Sequence, residues 1–218
     1  MSKERGSATG AGRPRDPEID RALLSATLEL LDELGYTKLT LEEVARRAGT
    51  SRPAIYRRWP GRAPLVLDAI ATRLDVPSPP DTGCTLCDLD ESFNVFLAAY
   101  RTIRPEVLNA LYLECEPDAE LKARYLETVV EPSRRAVGRT LDRAIARGDL
   151  RTDADRDQLL DLIGALVHHR ALFGGHLTDA EAQSAIETLL RGAAQDYQAL
   201  LDHSLALEQE HQARHGAP

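Results

Sequence analysis

Residues 39–62 read LTLEEVARRAGTSRPAIYRRWPGR. Thr40, with Glu43 three positions later, has the form of a capping box, so a helix opens here. Leu41, Val44, Ala45 and Ala48 give that short helix one apolar face. Gly49-Thr50-Ser51 is a tight turn, Ser51 is placed to cap the next helix, and Pro53 suits its first turn. Pro60-Gly61 ends that second helix. Ala45 and Gly49 are small where the two helices must approach, while Ile55 and Trp59 supply apolar contacts to lock them. A helix, a glycine-centred turn and a short helix studded with arginine is the helix-turn-helix plan. In that plan the second helix enters the DNA major groove by its N-terminal residues.

The helical pattern extends outward from this core. Upstream, Ile19, Leu23, Ala26, Leu30 and Leu34 fall on one face of a helix that Gly35 ends. Downstream, Val66, Ile70 and Leu74 mark a fourth helix, with Pro64 tolerated in its first turn. Residues 16–75 therefore form one helical head. Residues 1–15, rich in Gly, Ser and Arg, read as a disordered basic arm, in which Arg13 and Arg15 suit an adjacent minor groove. Residues 76–87, VPSPPDTGCTLC, are a Pro-rich connection. Residues 88–203 again have helical period. A helix runs over Asp88–Arg104, another opens at Pro105, and a long one runs from Asp118 to Arg147 with a kink due at Pro132. Asp153–Phe173 contains LLDLIGALV, apolar on nearly all sides, and Asp179–His203 is amphipathic. Residues 204–218 read as a polar C-terminal tail. No segment alternates with period two, so the fold class is all-α with about nine helices.

The whole-chain charge of −8, from 27 Lys+Arg against 35 Asp+Glu, by itself argues against a polyanionic partner. Its distribution argues the other way. Residues 1–75 carry 13 basic and 11 acidic side chains, whereas the remainder carry 14 and 24. Between Glu43 and Asp68 there are six arginines and no acid. The head is basic and the body acidic, the asymmetry of a nucleic-acid-binding module. There is no apolar run of the ~18 residues that a membrane span requires. The first residues lack the hydrophobic segment of a secretory signal, and three cysteines make no disulfide framework. A reducing cytoplasm is the expectation. No HExxH, GxSxG, phosphate-binding loop or dinucleotide fingerprint occurs, so neither an enzyme nor a cofactor is expected.

Over Ile19–Leu74 the chain resembles the TetR family of transcriptional repressors. The resemblance rests on LDELGYTKLT, EEVARRAGTSRPAIYRRW and PGRAPLVLDAI, in register over the whole head. It implies that Thr40 meets a phosphate, that Ser51, Arg52, Pro53 and Ala54 open the recognition helix, and that Tyr56 touches the DNA backbone. Arg57 and Arg58 follow it, and Arg62 takes the place of a phosphate-gripping lysine. Gly61 departs from the usual Ser or Asn cap, which loosens that clamp. Arginine presents paired donors to guanine O6 and N7, so Arg52 and Arg57 are the candidates for base reading. Arg58 and Arg62 suit phosphate, which sets position rather than sequence. Tyr56 packing between helices and Arg58 as a solvated charge remain open.

The resemblance also implies a homodimer on a palindromic double-stranded DNA operator, released by a small-molecule inducer. The last two helices would form the dimer interface through Leu162, Leu166, Leu189, Ala193 and Tyr197. The middle helices would enclose a pocket, with Phe93, Phe96, Tyr100, Leu108, Tyr112 and Phe173 as candidate walls. His168 or His169 could present an imidazole to the pocket or the dimer seam. Aromatic residues at helical spacing equally suit a plain core. Two alternatives stay open. One is a helical protein–protein adaptor. The other is a thiol- or metal-sensing regulator using Cys84 and Cys87, whose CxxC spacing suits a redox pair or zinc although only Cys115 is left as a further thiol.

Overall fold

Asp16 opens the first helix: its carboxylate accepts the Glu18 amide at 3.0 Å. This helix, α1, spans Pro17–Leu34 and stops at Gly35, whose φ is +76°. The computed structural model describes residues 16–174 and 178–215, so the basic arm at 1–15, with Arg13 and Arg15, lies outside the described residues. Helices α2 (Leu41–Arg47), α3 (Arg52–Tyr56) and α4 (Arg62–Arg73) follow. Gly49, at φ +63°, makes the turn between α2 and α3, a left-handed conformation that glycine adopts without strain. Thr50 N–H closes that turn on the Ala45 carbonyl at 2.8 Å. Helix α1 packs along α4, and Leu23, Leu30, Val44, Ile55, Leu65 and Ile70 are fully buried between the four helices.

The body contains α5 (Thr85–Thr102), α6 (Pro105–Cys115), α7 (Ala119–Tyr125), α8 (Glu131–Arg147), α9 (Arg156–His169), α10 (Asp179–Ala193) and α11 (Tyr197–His215). Helices α7 and α8 are one rod joined by a π-turn over Leu126–Val130. That turn stands immediately before Pro132, which has no N–H to give a regular helix. The distortion signalled by Pro132 is thus a widened turn. Counting this rod once gives ten helical rods among the described residues, against the nine of the sequence reading.

Three boundaries differ from the sequence reading. Helix α5 begins at Thr85, because the Cys84 thiol caps it by accepting the Cys87 amide at 3.3 Å. The stretch 179–203 is two helices, broken where the Ala194 backbone extends and pairs with Leu150. Arg151 N–H reaches the Ala193 carbonyl at 2.7 Å and Gln195 N–H reaches Asp149 at 2.9 Å. Gly192, two residues before Ala194, is a local mark of this break, but the hydrogen bonds that hold the extended backbone come from a distant loop. Finally, the polar segment from 204 continues α11 as far as His215.

The cores divide at a place the Pro-rich connection does not reveal. One core joins α1–α4 to α6 and the start of the α7–α8 rod, through Leu108, Leu111, Cys115 and Tyr125. The other holds α5, α8, α9, α10 and α11 together around Phe93, Val137, Leu141, Ile163, Ile186 and Leu200. Helix α6 is therefore packed as part of the head, although it lies beyond the connection.

Candidate nucleic-acid interface and effector cavity

The outer face of the helix-turn-helix is built from few residues. Ser51, Arg52, Pro53, Tyr56 and Arg57 are all exposed along α3. Arg52 donates to the Tyr56 hydroxyl at 3.2 Å, lies over its ring, and pairs with Glu42. Arg57 makes no side-chain hydrogen bond or ion pair with any described residue, which leaves its guanidinium free. Thr40 is exposed and its hydroxyl oxygen accepts the Glu43 amide at 3.2 Å. The reciprocal half of the capping box is missing, because the Glu43 carboxylate turns to Arg46. Ser51 adopts the cap conformation without a side-chain hydrogen bond.

Three of the residues assigned to DNA contact are engaged within the protein. Ala54 is only 4% exposed, since it falls on the α3 face that packs inward beside Ile55. The Arg58 side chain is 9% exposed, ion-paired with Asp20 of α1 and bonded to the Ala54 carbonyl at 3.0 Å. It braces α3 against α1 rather than facing solvent. Arg62 lies over the Tyr36 ring at 4.4 Å and pairs with Glu114 of α6.

Distant residues supply the acids that the sequence window 44–67 lacks. Arg47 is held by Glu33 at 2.7 Å, and that arginine keeps the Glu33 carboxyl below its ordinary pKa. The exposed pairs are weak in water and exchange readily for phosphate oxygens. The enclosed Arg58–Asp20 pair does not, because parting it would leave a shielded charge unmatched.

Helix α6 holds the head at both of its ends. At its N-terminal cap, Arg104 donates to the Leu31 carbonyl at the end of α1, at 2.6 Å. In its last turn, Glu114 holds Arg62, the first residue of α4. Beside it, Arg124 of α7 meets Asp68 of α4 at 2.7 Å, and Asp68 also accepts the Trp59 indole N–H at 2.7 Å.

The opposite side of α6 borders a cavity of about 430 Å³. Phe96, Tyr100, Leu108 and Tyr112 line it, as the sequence suggests. Phe93 does not: it is sealed in the body core among α5, α8 and α9. Phe173 is 78% exposed and sits in the π-turn Arg170–Gly174, where the wider turn shifts residues out of helical register. Tyr125, Val129, Val130, Ser133, Arg134, Asp161, Gly164 and His168 are also among its lining residues, and sequence reasoning does not assign most of them. The Pro132 signal points to this region, since the π-turn it accompanies carries Val129 and Val130 into the wall. His168 Nδ1 shares a 2.6 Å hydrogen bond with the Tyr100 hydroxyl. Burial raises the Tyr100 pKa, so that phenol stays neutral at ordinary pH.

An open groove runs between α9 and α10. Leu162, Leu166 and Leu189 line it, with Leu162 49% exposed. Ala180, Ser184, Ala185 and Thr188 keep its α10 side shallow. Ala193, assigned to the same face, is instead buried in the body core. Tyr197 is half-buried under Arg191, 4.8 Å from the ring centre.

The cysteines are occupied structurally. Cys84 caps α5, Cys87 lies 3.5 Å from the Ser204 hydroxyl on α11, and Cys115 is buried in the head core. Burial pushes the Cys87 thiol up to about 11. Among the described residues no cluster of three or more His, Cys, Asp or Glu side chains is arranged to hold a metal. No described helix is long and apolar enough to cross a membrane.

Among the described residues the chain is helical, with an exposed helix-turn-helix at one end and a helical body at the other, the plan of a DNA-binding transcriptional regulator. Residues 23–76 match the family of bacterial regulatory proteins of the tetR type, and residues 79–189 match the tetracyclin repressor-like C-terminal domain. The chain belongs to the TetR family. It is 31% identical over 184 residues to the uncharacterized HTH-type regulator YdeS of Bacillus subtilis, covering 83% of this chain and 92% of that one. It is 29% identical over 172 residues to the DNA-binding transcriptional repressor TetR of Mycobacteroides abscessus, covering 78% and 90%. Among solved structures, the TetR family regulator SCO0332 superposes with a TM-score of 0.60 at 31% identity, covering 80% of this chain and 98% of that one.

Proposed function

We propose that the protein is a cytoplasmic, nucleoid-associated repressor that binds a palindromic operator as a homodimer and leaves it when a small molecule fills the cavity. The observation that carries this reading is α6, which lines the cavity and grips the head at both ends. A ligand that displaces Tyr112 or Leu108 moves Glu114 and Arg104 with the helix, and so shifts α4 and the recognition helix. Arg57 and Arg52 read bases, while Thr40, Ser51, Pro53 and Tyr56 set the register on the backbone. Arg62 reaches a phosphate when Glu114 lets it go. The α9–α10 groove suits a second copy of the same groove, because small α10 residues permit close helix approach beside the exposed Leu162 and the half-buried Leu166 and Leu189.

Selection of bound sequences from random DNA tests the reading. An inverted repeat should emerge, with affinity falling steeply in salt by roughly 0.9 log units per neutralised phosphate. Recovery of no preferred sequence would overturn it.

A further inference from the structure

The cavity's own chemistry narrows its ligand. This inference rests on reading the cavity as the effector site. Its charged groups balance one another: Arg134 pairs with Asp161 and lies 3.8 Å from Glu131. A charged ligand would enter apolar walls without a counter-charge, which is costly. The Tyr112 and Tyr125 rings stand 5.3 Å apart, tilted by 60°, and form one aromatic wall with the phenol of Tyr100 close by. The Phe96 ring lies against the helix at Gly164, where an added Cβ would be 3.4 Å from it, and adds a further aromatic surface to the lining. Four aromatic side chains, Phe96, Tyr100, Tyr112 and Tyr125, in one lining favour an aromatic ring system over a coiled aliphatic chain. Its polar end is the Tyr100–His168 pair, whose hydrogen bond a ligand hydroxyl or carbonyl can join. A volume of about 430 Å³ suits a compound of a few fused rings.

We propose that the cavity takes a neutral, planar, fused-ring aromatic molecule bearing one hydroxyl or carbonyl, with that oxygen seated at Tyr100 and His168. Calorimetry on the full chain tests this with five probes: phenanthrol, unsubstituted phenanthrene, phenanthrene carboxylate, phenanthryl-trimethylammonium and tetradecanol. Phenanthrol should bind, and the two charged analogues at least about tenfold more weakly. Tyr100→Phe should weaken phenanthrol roughly five- to tenfold and leave phenanthrene unchanged. Tighter binding of a charged analogue or of tetradecanol overturns the proposal. So does failure of phenanthrol to bind, or a Tyr100→Phe protein that binds phenanthrol as the parent does. Operator binding, followed separately, keeps the two readings apart. Phenanthrol that binds without changing operator affinity supports the ligand class and defeats the effector reading. A charged compound that fills the cavity and releases the operator defeats the ligand class and leaves the effector reading standing.

Discussion

Neighbouring arginines in the turn that ends α3 divide into different tasks by what they touch. Arg57 and Arg58 are adjacent in sequence, yet one guanidinium is free and the other is shielded against Asp20. A helix turns about 100° per residue, so consecutive side chains leave its surface in different directions. Arg57→Ala should leave folding intact and broaden the set of sequences recovered by operator selection at one position per half-site. Arg58→Ala should act on stability instead, by about 2 kcal/mol, because Asp20 loses its partner in a largely enclosed pair. Thermal unfolding of the two variants separates them: only Arg58→Ala should lower Tm. The sequence shows all six arginines of the window but not the partners of Arg47, Arg58 and Arg62, since Asp20, Glu29, Glu33 and Glu114 come from other elements.

At the scale of elements, helix ends follow local chemistry and are mostly legible. Helix α8 stops at Gly148, φ +78°, with Gly148 N–H on Ile145 and Asp149 N–H on Ala144, each at 3.0 Å. No atom outside the backbone crowds that site, so Gly148→Ala tests the conformation alone. It should cost about 1 kcal/mol in denaturant unfolding with the slope unchanged. The break between α10 and α11 is the opposite case. Gly192 and Asp196, whose carboxylate accepts the Ala199 amide at 3.1 Å, mark it only weakly; its extended backbone at Ala194 depends on the loop at 149–151, more than forty positions earlier in the chain. The π-turn lies between these extremes: Pro132 signals a distortion, while its form as a widened turn against the cavity depends on packing.

At the scale of the molecule, the division of the cores matters most. Because α6 is packed with the head and also borders the cavity, events in the body have a mechanical route to the DNA-binding face. Glu114→Gln should free Arg62, raise affinity on operator and random DNA alike by several-fold, and blunt release by an effector. Gel shifts on both DNAs check it, and an unchanged response would remove Glu114 from the route. Leu162→Glu places a charge in the α9–α10 groove, so sedimentation should find monomers and operator affinity should fall at least tenfold.

By itself the sequence determined the helical class, the helix-turn-helix and its glycine turn, and four of the cavity's aromatic and aliphatic walls. These are features of period and of residues near one another in the chain, where local geometry leaves few choices. Tertiary structure alone decided which arginines are free, that Phe93 and Ala193 are core, that Phe173 faces solvent, and that α6 belongs to the head. Each of these depends on contacts between residues far apart in sequence, and spacing along the chain carries no record of them.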